Sequence, residues 1–113
     1  PDEKRQHRRF PVRFRSSFSS VNIVGGDGML TDLSVRGCRI ESRIAVKPGT
    51  ELQLNVYPPH EPEPLGITVA MVRWSRGEMF GIEFSDMKDE EWKRLGRFMQ
   101  SVECPDAGAT SWP

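Results

Sequence analysis

Apolar and polar residues alternate with a period of two through most of this chain, and that periodicity lays out a series of short strands. Val12, Phe14 and Phe18 alternate with Arg13, Arg15, Ser17 and Ser19 in the first. Met29 to Leu33 reads as a second; Cys38, Ile40 and Ser42, set against Arg39 and Glu41, as a third; Leu52, Leu54 and Val56 as a fourth. Ile67, Val69, Met71 and Arg73 alternate with Thr68, Ala70, Val72 and Trp74 in a long fifth strand that is largely apolar on both faces. Phe80, Ile82 and Phe84 begin a sixth, returning beside the fifth after the turn Arg76-Gly77-Glu78. Gly25-Gly26-Asp27-Gly28 reads as a hairpin loop and Lys47-Pro48-Gly49-Thr50 as a turn. Residues 58–64 include Pro58, Pro59, Pro62 and Pro64, which have no N–H to give to a ladder, so this stretch is expected to be a loop.

After Ser85 the period lengthens. Trp92, Leu95, Met99 and Val102 recur at helical spacing, with Ser85 or Asp86 expected to cap and Asp89, Glu90 and Glu91 in the first turn, where the helix dipole favours anions. The predicted fold is all-β: a six-stranded antiparallel barrel with one C-terminal α-helix, whose apolar stripe packs on the barrel. A chain of 113 residues has room for one modest core. The expected organisation is a flexible basic arm over 1–11, the barrel and helix over 12–102, and a disordered tail over 103–113.

Composition narrows the function classes. No apolar run approaches the roughly 20 residues of a membrane span, and the charged start lacks the apolar core of a signal peptide, so the expected location is cytoplasmic, without membrane insertion. The chain begins without an initiator Met, which suggests a trimmed start. Cys38 and Cys104 fall in no CxxC spacing and read as plain thiols, while His7 and His60 have no partners at ligand spacing, so no metal is expected. The formal net charge is zero, yet Lys4, Arg5, Arg8, Arg9, Arg13 and Arg15 crowd the start, and Asp86, Asp89, Glu90 and Glu91 the far end. One basic arm on a neutral whole suits a small anionic ligand better than a nucleic-acid polymer, which draws a broad basic face.

Two short motifs carry candidate chemistry. Arg5 and Arg9 stand four apart just ahead of the first strand, and each offers a planar fork of donors suited to phosphate or to the O6/N7 edge of guanine. Arg9 and Arg13 share that spacing, but Pro11 and Val12 draw them partly into the strand. The second motif is Asp32-Leu33-Ser34-Val35-Arg36-Gly37. Period-two alternation puts Asp32 and Ser34 on one side and Leu33 and Val35 on the other, so an acceptor carboxylate and a hydroxyl share a face. Gly37 is expected to supply a positive φ or to let a ligand approach the main chain. The competing reading of this motif is an Asx or Ser turn that ends a strand with local hydrogen bonds.

Taken together, Arg5-xxx-Arg9 and Asp32-x-Ser34-xx-Gly37 resemble the signature of the PilZ family of cyclic di-GMP receptors, RxxxR ahead of the first strand followed by (D/N)xSxxG. The resemblance runs from about Lys4 to Val102 and includes Val72-Arg73-Trp74 and Gly81-Ile82-Glu83-Phe84, similar to that family's last hairpin. It implies a split-barrel fold with the ligand on the outer face of the barrel. Arg5 and Arg9 would then grip guanine and phosphate, Asp32 and Ser34 would address a guanine edge, and Gly37 would leave room for it. Lys4, Arg8, Arg36, Arg39 and Trp74 are the implied secondary contacts. Members bind one ligand or a stacked pair, and the residue before the first arginine, here Lys4, influences which. The resemblance further implies a receptor that couples ligand binding to movement of its arm and to a partner protein or attached domain, with no cofactor and no enzymatic activity.

Two other classes compete. One is a protein-interaction adaptor that keeps the barrel without using the nucleotide; the other is a small barrel that binds single-stranded nucleic acid with a steep salt dependence. An enzyme is disfavoured by the sequence itself, which pairs no nucleophile with a base, and Gly25-Gly26-Asp27-Gly28 lacks the Lys and helix of a phosphate loop.

Overall fold

The computed structural model describes residues 9–103. Its elements in chain order are β1 (Phe10–Ser19), β2 (Gly26–Leu33), β3 (Gly37–Glu41), β4 (Glu51–Tyr57), β5 (Leu65–Arg76), β6 (Met79–Asp86) and the helix α1 (Asp89–Glu103). The strands close into a barrel in the order β1-β2-β3-β6-β5-β4, β4 pairing back onto β1, with every pair antiparallel. This is the predicted architecture. Lys4, Arg5, Arg8 and Cys104 lie outside the described residues, as do most of the expected arm and tail. Phe10 and Pro11, assigned to the arm by their sequence, already belong to β1, opposite Leu33 and Asp32.

Where alternation is unbroken, burial follows it: in β4, Leu52, Leu54 and Val56 are buried and Glu51, Gln53 and Tyr57 exposed. Elsewhere bulges reset the phase. The β2–β3 register shifts between Leu30 and Asp32, so that Leu30 and Leu33, three apart, both enter the core. In β5 a shift between Val69 and Ala70 does the same for Ile67 and Ala70. A second shift between Val72 and Trp74 leaves Arg73 and Trp74 both exposed, although strict alternation assigns them to opposite faces.

The glycine cluster is also placed differently from expectation. The β1–β2 connection is Ser20–Gly25, held by reciprocal backbone bonds between Ser20 and Ile23, and Gly26-Asp27-Gly28 is part of β2. Here glycine serves close approach: a Cβ on Gly26 would strike the ring of Phe18, and one on Gly28 would come within 2.7 Å of the Glu41 carbonyl oxygen.

Ser85 and Asp86 do not cap α1, because β6 runs through both and Asp86 pairs with Val69. The helix begins instead on the Lys88 carbonyl, which accepts from Glu91 N and Trp92 N at 2.8 and 3.0 Å, with Asp89, Glu90 and Glu91 in its first turn. Leu95 and Met99 are buried, and Phe98 packs edge-on to Phe14 with ring centroids 5.5 Å apart. Trp92, expected on this stripe, is exposed; Phe98 takes part in its place. No helix among the described residues is long and apolar enough to cross a membrane.

Candidate functional site

The pairing of β1 with β2 builds one edge of the site. Pro11 lies opposite Asp32, so the chain ahead of it brings Arg9 to the same end of the barrel, and Arg9 Nη1 donates to Asp32 Oδ1 at 2.8 Å. Arg39, opposite Asp32 on β3, reaches Oδ2 at 3.3 Å while its Nε donates to Thr31 Oγ1 at 3.3 Å. The side chain of Asp32 is only 13% exposed and its two oxygens face two guanidiniums, which balances the charge that burial would penalise.

Ser34 makes the local turn that the competing reading anticipated. Its Oγ accepts from Arg36 N at 3.1 Å and Gly37 N at 3.2 Å, and its backbone N donates to Gly37 O at 2.9 Å. The hydroxyl thus shapes the β2–β3 connection, and the residue also borders the groove described below. Asp32 differs, with ion pairs across strands in place of an Asx turn. Of the two roles open to Gly37, a positive φ is not the one it takes; among the described glycines that conformation is seen at Gly25, Gly49 and Gly77. Its requirement is contact with β6, since a Cβ there would collide with the Ile82 carbonyl oxygen.

Beside this corner runs an open groove of about 370 Å³ bordered by Arg9, Ser34, Arg36, Arg73, Trp74 and Glu83. Trp74 is 41% exposed and lies over Gly81, its cross-strand partner, where any Cβ would meet the indole. Packing and exposure therefore coexist at Trp74. The β5 bulge places Arg73 next to it, and Arg73 Nε donates to Glu83 Oε1 at 2.6 Å. Glu83 and Arg73 were not singled out as site residues from sequence; the available signal was an Arg-Trp pair at the end of an apolar strand, but only the bulge turns both outward.

Among the described residues, the site thus unites Arg9, Asp32, Ser34, Arg36, Arg39 and Trp74, with Gly37 beneath them against β6. Arg5, Lys4 and Arg8 lie outside the described residues. Cys38, opposite Leu33 on β3, lies in the core: burial pushes its thiol far up, the Asp32 carboxylate adds to that, and Arg9 opposes it. No group of three metal-ligating side chains occurs among the described residues.

This arrangement can be compared with known proteins. The family model for the PilZ domain matches residues 3–101. A sequence search of curated proteins gave no match. Among solved structures, the PilZ domain of CeSA from a cellulose-synthesizing bacterium superposes with a TM-score of 0.65 at 13% identity, covering 84% of this chain and 97% of that one. YcgR of Escherichia coli, solved in complex with c-di-GMP, gives 0.74 at 14% identity over 96% of this chain and 50% of that one. The Bacillus subtilis inhibitor of motility, MotI/DgrA, gives 0.69 at 15% over 89% and 52%. At such identities the likeness is one of fold, and the chain spans about half the length of the latter two proteins. With a matching family model over nearly its whole length and the barrel that the family implies, this chain belongs to the PilZ domain family.

Proposed function

We propose that this domain is a receptor for cyclic di-GMP, binding the nucleotide in the groove beside the Arg9–Asp32 corner without chemical turnover. The observation that carries the reading is the 2.8 Å Arg9–Asp32 contact, by which β1–β2 pairing joins both signature motifs at the mouth of a groove holding further cations and a tryptophan. The chemistry is complementary. A carboxylate with two acceptor oxygens matches the N1–H and N2–H donors of guanine, guanidiniums match phosphate and the guanine O6/N7 edge, and an exposed indole offers a stacking face. Around the site, Arg9, Arg36, Arg39 and Arg73 face the carboxylates of Asp32 and Glu83, leaving a cationic excess for a ligand with two phosphates.

On binding, Arg9 transfers donors from Asp32 to the ligand, and Arg39 stays to hold the carboxylate in place. The segment ahead of Phe10, with Arg5 and Arg8, closes over the nucleotide, and charge-assisted bonds worth about 1.5–3 kcal/mol each offset its ordering. Its movement is the output, passed to a partner protein or an attached domain. The matched E. coli protein, solved with the same nucleotide, supports the choice of ligand. Titration calorimetry with cyclic di-GMP tests it, reading affinity and stoichiometry together; absence of both heat and thermal stabilisation at high micromolar ligand would end the receptor reading.

A further inference from the structure

Glu83 is an acid at a groove that otherwise gathers cations. In the strand register it lies between Gly37 of β3 and Met71 of β5, which brings it beside Arg36 just ahead of β3 and beside the Arg73 bulge. Its two oxygens face different guanidiniums: Oε1 pairs with Nε and Nη2 of Arg73, and Oε2 lies 3.8 Å from Nη2 of Arg36. Two arginines from separate elements thus converge on the two oxygens of one anion, which is how a pair of arginines holds a phosphate.

We propose that Glu83 is an internal stand-in for a ligand phosphate, occupying the Arg36–Arg73 pair until an anionic ligand replaces it, and that its charge limits the affinity of the site. The proposal rests on the receptor reading and deepens it. The carboxylate has opposing effects: it preorganises the arginines, and it repels an incoming phosphate. Repulsion outweighs preorganisation because the side chains are open to solvent, Arg36 and Arg73 each at 58% and Glu83 at 36%, so the pairs themselves hold little energy. Glu83 is unlike Asp32 in this respect. Asp32 is enclosed and offers acceptors to guanine donors, whereas Glu83 competes for the donors that phosphate needs.

The test is calorimetry with cyclic di-GMP on Glu83→Gln, Arg73→Ala and the double variant, with circular dichroism to show that each is folded. Glu83→Gln is expected to tighten binding by about three- to tenfold, the gain expected from relieving one partly screened like-charge contact. In the Arg73→Ala background the gain should fall to the part that comes from charge repulsion alone, since the guanidinium that Glu83 would vacate is missing. Unchanged or weaker binding by Glu83→Gln, where the wild-type protein binds, overturns the proposal. If the wild-type protein does not bind the nucleotide at all, the receptor reading fails separately. The stand-in role is then decided with inorganic pyrophosphate and the Arg73 Nε–H nuclear magnetic resonance signal: a shift that is larger in Glu83→Gln sustains it, and no shift in either protein overturns it.

Discussion

At the helix end of the barrel a single arginine, Arg94, answers to Glu91 and Glu61 and to the backbone carbonyls of Pro64 and Glu63, with its side chain 23% exposed. Around the groove the proportion is reversed, with Arg9, Arg36, Arg39 and Arg73 set against Asp32 and Glu83, and each of these arginines is at least 42% exposed. The residue types are the same, yet the physics differs. The terminal nitrogens of Arg94 are occupied by four acceptors, two of them fixed carbonyls at 2.9 Å, so it fastens the proline-rich loop to α1. The groove arginines have more donors than local acceptors and stand in solvent, where an arriving anion can take them. The ratio of donors to acceptors, more than the presence of arginine, separates a fastening from a binding site.

The comparison can be broken most directly at Asp32. Asp32→Ala, or Arg9→Ala, should weaken cyclic di-GMP binding by about 10- to 100-fold, the equivalent of one charge-assisted bond, with the thermal midpoint of the free protein little changed. Calorimetry and thermal melts on the same samples check both halves. A large fall in stability with intact binding would mean that this corner is a fastening like Arg94.

Gly37→Ala acts in the opposite way. The new methyl group meets the β6 backbone, which cannot yield as a side chain does, so a loss of about 1–3 kcal/mol in urea unfolding is expected. At Gly81→Ala the atoms nearest the new methyl group belong to the Trp74 indole, a side chain able to swing away. Its stability loss should be smaller, and the displaced indole should appear as a change in tryptophan fluorescence and in ligand affinity.

Arg94→Ala should destabilise by about 1 kcal/mol, given its partly buried bonds to two carbonyls, and leave nucleotide affinity unchanged. The smallest effect comes from salt. Raising it from low to physiological concentration should weaken ligand binding at the exposed arginines and scarcely alter the unfolding midpoint, since a dianion brought to a screened cationic groove feels the ions more than packed apolar strands do. Equal sensitivity of both quantities would contradict the distinction drawn between the two regions.

The strands and helix were legible in the chain because burial imposes a period on apolar residues: Leu52, Leu54 and Val56 on β4, and Leu95 and Met99 on α1, follow it directly. The two motifs were legible as residue types at fixed spacing. Three features were not. Gly26 and Gly28 look like a loop by composition, and it is the Phe18 ring across the hairpin and the Glu41 backbone that demand glycine at these strand positions. Ser85 and Asp86 are good cap residues that strand pairing holds elsewhere. Arg73 and Trp74 share a face only because a bulge inserts a residue between the pairs Val72–Ile82 and Trp74–Gly81.

By itself, then, the order of residues determined the number and kind of elements and named Arg9, Asp32 and Ser34, since periodicity and motif spacing are local properties of the chain. Which side chains meet was decided by the closed sheet. Registers and bulges are set by packing between strands far apart in sequence, and a shift of one residue turns a side chain from core to solvent. For that reason the Arg9–Asp32 contact and the Arg36–Glu83–Arg73 cluster exist only in three dimensions.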